Sequence, residues 1–246
     1  HRETPHLLVT NLIDFMKFQY PILIVALALS ACAPGNPQAD SASSGLTTAQ
    51  KNAIGKKIWQ NESGGKVDGL TAWNVGEEFP SLGIGHFIWY PAGFNGRFKE
   101  SWPEFIAYAN SKGAKPPTIA KVADSPWNSR AEFLKDFRSP EMVGLRTWLA
   151  STVNLQTDFI IARSRAAFPK ILAAAPAMER SKIQANYHKV ASTSQGTYAL
   201  IDYVNFKGDG TSQTEKYKGQ GWGLLQVLGN MEEVSSGPEA AKEFAA

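Results

Sequence analysis

Cysteine is the scarcest signal in this chain of 246 residues: there is one, Cys32, so no disulfide can form within the chain. Basic runs are missing too. The net charge is only +3, and Lys and Arg are scattered, which excludes the electrostatic stripe of a nucleic-acid binder. Histidines number four, and no His/Cys spacing of a metal site, phosphate-binding glycine loop or dinucleotide fingerprint occurs. No metal and no cofactor is therefore implied. No apolar run is long enough to cross a bilayer comfortably; Ile22 to Leu29 is the length of a signal-peptide apolar region.

That run has neighbours of a specific kind. From Met16 the chain reads MKFQYPILIVALALSAC, with Lys17 as the positive start and Leu29-Ser30-Ala31-Cys32 at the end. This ending resembles a bacterial lipobox. The resemblance implies a signal peptide over 16–31 and lipid on Cys32. With Ala33 rather than Asp following, it also implies sorting to the outer membrane with the domain in the periplasm. Residues 1–15 then read as sequence upstream of the true start. Residues 32–45, small, polar and rich in Pro and Gly, read as a flexible tether. Residues 46–246 have the composition of a globular domain.

Within that domain, helix starts are well punctuated. Thr47-Thr48-Ala49-Gln50, Ser101-Trp102-Pro103-Glu104 and Ser129-Arg130-Ala131-Glu132 have the capping-box pattern, and Ser139-Pro140-Glu141 opens a further helix. Gly64-Gly65 stops the first helix. Residues 153–175 read as helical, with Pro169 expected to kink or divide them. Residues 178–191, 196–206 and about 219–234 complete the helical set. Leu70 to Tyr90 reads as two or three short strands, being aromatic and β-branched but broken by Gly and Pro. The expected class is α+β, mainly α, with one small early sheet.

Two stretches carry chemistry. WQNESGG puts Glu62 at the end of the first helix, and SLGIGHFIWYP places Gly83, Gly85 and His86 before large apolar side chains. A helix-end glutamate, a short β region and a Gly-x-Gly-His segment, in that order, resemble the lysozyme superfamily. The likeness is closest to phage-type lysozymes over residues 47–90, with Ser81 at a threonine position. NESGG also resembles the Glu-Ser pair of lytic transglycosylases, and GWGLLQVL at 221–228 resembles their Gly-Leu-Met-Gln segment. The resemblance implies a lysozyme-like fold acting on peptidoglycan glycan strands, with Glu62 as the acid.

The chemistry also stands without the family. Glycosidic cleavage needs a carboxyl that keeps its proton near neutral pH. A helix C-terminus disfavours ionisation there, and apolar neighbours such as Trp59 or Trp89 add desolvation. Gly83 and Gly85 would let a sugar lie against the backbone, or else serve packing at a bulge. His86 reads as structural, holding the sheet to a helix. An assisting carboxylate is sought at Glu77 or Glu78, then at Asp68. Trp73, Trp89 and Tyr90 are the candidates for stacking on sugars, and Asn205 and Lys207 for the far wall of the cleft. Three functions follow: a glycan hydrolase, a lytic transglycosylase, or a non-catalytic envelope lipoprotein that binds glycan or a protein. Oligomeric state is not fixed by the sequence.

Overall fold

The structure is a computed structural model and describes residues 46–212, 216–217 and 220–245. Cys32, the signal-peptide segment and the tether lie outside the described residues. The first helix, α1 (Thr48–Ser63), is capped as its sequence dictates: the Thr47 hydroxyl accepts from Gln50 N–H, and the Gln50 side chain accepts from Thr47 N–H. It ends at Gly64, whose left-handed backbone lets its N–H reach Gln60 O at 3.0 Å. Three two-residue strands follow, β1 (Thr71–Ala72), β2 (Ser81–Leu82) and β3 (Phe87–Ile88), antiparallel in the order β1-β2-β3. Leu82 pairs with both Thr71 and Phe87.

The remaining helices are α2 (Trp102–Ser111), α3 (Arg130–Asp136), α4 (Pro140–Ser151), α5 (Val153–Ala174), α6 (Arg180–Ala191), α7 (Ser194–Lys207), α8 (Leu224–Asn230) and α9 (Pro238–Phe244). A short pair, β4 (Lys216–Tyr217) and β5 (Gln220–Gly221), precedes α8. Among the described residues the domain is thus mainly helical with one small early sheet, an α+β architecture. Helix α5 runs on through Pro169 without dividing. The expected helix over 219–234 is shorter, because Gln220–Gly221 pairs as a strand before α8 begins.

Apolar side chains form two clusters. The first joins α1, the sheet and α2 to α5 around Ile58, Leu82, Phe87, Trp89, Trp102, Phe105 and Phe159. The second gathers Ile171, Ile183, Val190, Leu200, Leu224 and Phe244 from α5 to α9. Two helices belong to both. Helix α5, about 33 Å long at 1.5 Å per residue, gives Phe159 and Ile160 to the first cluster and Ile171 to the second. Helix α7 gives Ile201 to the first and Leu200 and Val204 to the second. This sharing fixes one polar face of α7 against the end of α1 and the β2–β3 turn.

Candidate active site at the end of the first helix

Glu62 is the penultimate residue of α1, and its side chain is only 9 % exposed. Facing it is His86, which closes the four-residue turn between β2 and β3. His86 has φ 47°, the only positive φ outside glycine among the described residues. A bulky side chain in that region marks a strained position held by its surroundings. Here His86 N–H reaches Gly83 O at 3.3 Å, and Nδ1 lies 3.4 Å from Glu62 Oε2.

The turn itself is clamped from behind. Gln156, fully buried on α5, accepts from Ile84 N–H at 2.8 Å through Oε1 and donates to Leu149 O at 2.7 Å through Nε2. The two glycines fit that clamp. Gly83 has φ +74°, and a Cβ there would sit 2.5 Å from Gln156 Oε1; on Gly85 it would sit 2.6 Å from Phe87 Cε1. Both absences of side chain are thus accounted for by packing behind the turn.

The third wall is α7. Tyr198, Asp202 and Asn205 are spaced i, i+4, i+7 and share one face. Asn61 Nδ2 donates to the Tyr198 hydroxyl at 2.9 Å, and Asn205 Nδ2 donates to Gly85 O at 3.3 Å. Tyr198 also hydrogen-bonds Asp202, and Lys57 stands over its ring at 4.2 Å.

Burial sets the electrostatics. Desolvation, with a smaller push from the charge of Asp202, raises the Glu62 carboxyl from 4.5 to about 7. Burial lowers His86 from 6.5 to about 4. Between those values neither group is charged, so their 3.4 Å contact is that of a neutral acid and a neutral imidazole rather than an ion pair. Burial also raises Asp202, against the opposing effects of the Tyr198 hydrogen bond and the Lys57 charge.

The structure therefore brings Glu62, His86, Gly83, Gly85 and Asn205 together. It places the other candidates elsewhere. Trp89 is fully buried, stacked on Trp102 with its indole N–H on Ala123 O; Trp73 is buried against Phe133 with its N–H on Glu77 O. Tyr90 is buried with its hydroxyl on Phe98 O. None of the three presents an open ring face, because a sheet this small is covered on both sides. Ser81 is buried in the central strand between Ala72 and Ile88. Glu77 is half-buried and accepts from Asn74 Nδ2, while Glu78 is exposed. Asp68 is held by Arg138 at 3.1 Å and Arg146 at 3.7 Å. Burial lowers Lys207, whose ammonium stands over the rings of Phe206 and Trp222.

Asn61, Tyr198 and Asp202 were not among the residues singled out from sequence. Asp202 did leave a trace there: it is the only charged residue between Lys189 and Lys207, set in the apolar run YALIDYV. Compared with protein-family models, curated proteins and solved structures, the chain finds no match. The likeness to lysozymes thus rests on residues 47–90, and any functional reading rests on the chemistry of the site.

Proposed function

We propose that this domain cleaves the glycan strands of peptidoglycan, with Glu62 as the general acid. One observation carries the reading: a carboxyl at a helix end, buried and pushed to about 7, stands against a strained turn that holds a neutral histidine. A group of that pKa is still about half protonated at neutral pH and can release its proton to a glycosidic oxygen. The similarity of residues 47–90 to phage-type lysozymes supports a glycan substrate. The lipobox-like ending at Cys32 supports an envelope location, with the protein held by lipid at the outer membrane and facing the periplasm.

A lytic transglycosylase is the second reading, favoured by one observation. Of the carboxylates sought between Glu62 and the turn, Asp68 is tied to two arginines, Glu77 to Asn74, and Glu78 is in solvent. That leaves Glu62 as the one acid of that stretch at the site, which suits a route using the sugar's own 6-hydroxyl, where one glutamate can serve as acid and then base. Purified sacculi incubated with the parent and with Glu62→Gln test both. The parent should release fragments, and the variant should be slower by about 10²–10⁴-fold. Fragments one water lighter at the terminal sugar would select the transglycosylase. Equal rates for the two proteins would remove Glu62 as the acid, and binding without cleavage would make the protein a glycan-binding lipoprotein.

A further inference from the structure

Among the described residues, three buried polar atoms on the elements around Glu62 have no hydrogen-bond partner: His86 Nε2, Asp202 Oδ1 and Asn205 Oδ1. Such atoms are uncommon, and three in one cluster call for an explanation. Asp202 and Asn205 lie three apart on the same face of α7, and Asn205 is tied to Gly85, next to His86. Tyr198, one turn earlier on the same face, favours the charged form of the Asp202 carboxylate. Oδ1 of this carboxylate is a buried acceptor that the protein leaves unsatisfied.

The three atoms complement a hydroxyl group. With Glu62 protonated and His86 neutral, Nδ1 facing the acid is the accepting nitrogen and Nε2 carries the ring hydrogen. A hydroxyl oxygen can accept from Nε2–H, while its hydrogen goes to Asp202 Oδ1; in water the second hydrogen goes to Asn205 Oδ1. Resting on the glycosidase reading, we propose that Asp202 is the second carboxylate of the site and takes the proton of the attacking hydroxyl, which His86 and Asn205 orient.

In this step Glu62 gives its proton to the glycosidic oxygen as the bond from that oxygen to the anomeric carbon breaks. The bonding pair leaves with the oxygen. The hydroxyl oxygen bonds to the anomeric carbon, and its proton passes to Asp202 Oδ1. Exchange with solvent then returns a proton to Glu62 and removes one from Asp202. If the hydroxyl is water, one water is added and the anomer inverts. If it is the sugar's 6-hydroxyl, no water is consumed and an internal anhydro bridge forms. The charged and titratable groups facing Asp202 are Lys57 and Glu62 from α1 and Tyr198 from its own helix; His86 faces Glu62 from the turn.

The test compares the purified full chain with Asp202→Asn, Tyr198→Phe and Glu62→Gln on sacculi across pH. Asp202→Asn should lower turnover by about 10²–10⁴-fold with KM held. Its alkaline limb, set by Glu62, should move to lower pH because a like charge has gone. Tyr198→Phe keeps the carboxylate but loses a bond that favours its charged form, so the acidic limb should move to higher pH; this arm remains should Asp202→Asn fail to fold. Product mass separates the two hydroxyl sources. Full turnover in Asp202→Asn, an unmoved acidic limb in Tyr198→Phe, or a hydrated product of retained anomer would each overturn the assignment. If Glu62→Gln loses activity while Asp202→Asn keeps it, only this inference falls. A parent without activity takes the glycosidase reading and the inference together.

Discussion

Replacing Glu62 with glutamine removes a titration that the folded chain resists, and the consequence can be measured without any substrate. Folding raises this carboxyl from 4.5 to about 7. Across that window the unfolded chain has released the proton and the folded chain still holds it, so stability falls as pH rises. At about 1.4 kcal/mol per pH unit, the loss is about 3 kcal/mol. His86 works in the opposite direction. Folding lowers it from 6.5 to about 4, so the unfolded chain takes up a proton that the folded chain refuses. Stability then falls as pH drops through that range, again by about 3 kcal/mol. Where the windows overlap, the two slopes cancel, and the pair leaves the parent nearly flat. Glu62→Gln deletes one slope only. It should match the parent near pH 4 and exceed it by about 3 kcal/mol near pH 8. His86→Asn suits the left-handed backbone at φ 47° and deletes the other slope. Its gain should be absent near pH 8 and reach about 3 kcal/mol below pH 4. Urea unfolding at about pH 4, 5.5 and 8, with m values checked for constancy, measures all of this. A Glu62→Gln difference that is the same at all three pH values would refute the claim that Glu62 folds as a buried, protonated acid.

Three further outcomes concern the walls of the site. Gln156→Ala leaves Ile84 N–H without its partner, while Leu149 O keeps the Thr152 N–H, so the cost is that of one buried group, about 1–3 kcal/mol, which thermal unfolding should register as a lowered Tm. Gly85→Ala drives a methyl against Phe87 and Ile160 and should cost about 1–3 kcal/mol, and Gly83→Ala adds left-handed strain; denaturant midpoints of both should fall, with weaker glycan cleavage following the displaced turn. Trp89→Phe should lower stability, through the lost bond to Ala123 O and the disturbed stack on Trp102, while glycan affinity measured by sacculus pull-down stays unchanged.

What could be read from the chain was what lies close along it. Thr47, Ser129 and Ser139 cap their helices as their spacing dictates, since each bond is made within three residues. Ser101 has the same pattern, but its hydroxyl accepts from Ile88 N–H at 3.0 Å, thirteen residues away. A tertiary partner outcompeted the cap. Glu62 and the Gly83–His86 turn could be matched for a similar reason: both are glycine-punctuated stretches, one ending the helix before the short sheet and the other turning within it. The aromatic residues could not be assigned from proximity alone. Trp73, Trp89 and Tyr90 lie beside that turn in sequence, yet the strands are two residues long and both their faces are packed. The α7 wall was hidden by distance. Asp202 reaches the site only because α7 serves two apolar clusters and must turn its polar face toward α1.

That double membership bears on why so unfavourable a cluster persists. A raised acid, a lowered histidine at positive φ and three unpartnered polar atoms each disfavour folding by about 1–3 kcal/mol. Nothing local to the turn offsets them. The offset lies in elements that cannot shift without opening a core: α5, which clamps the turn through Gln156 and spans both clusters, and α7, anchored by Ile201 on one side and Leu200 and Val204 on the other. Strain held this way is more readily understood as serving chemistry than packing, since an apolar residue at Asp202 would fill the same seam at less cost. Asp202→Leu offers the sharpest contrast. It should raise the denaturation midpoint at neutral pH while abolishing cleavage, whereas a fall in both would mean that the carboxylate holds the fold rather than the reaction.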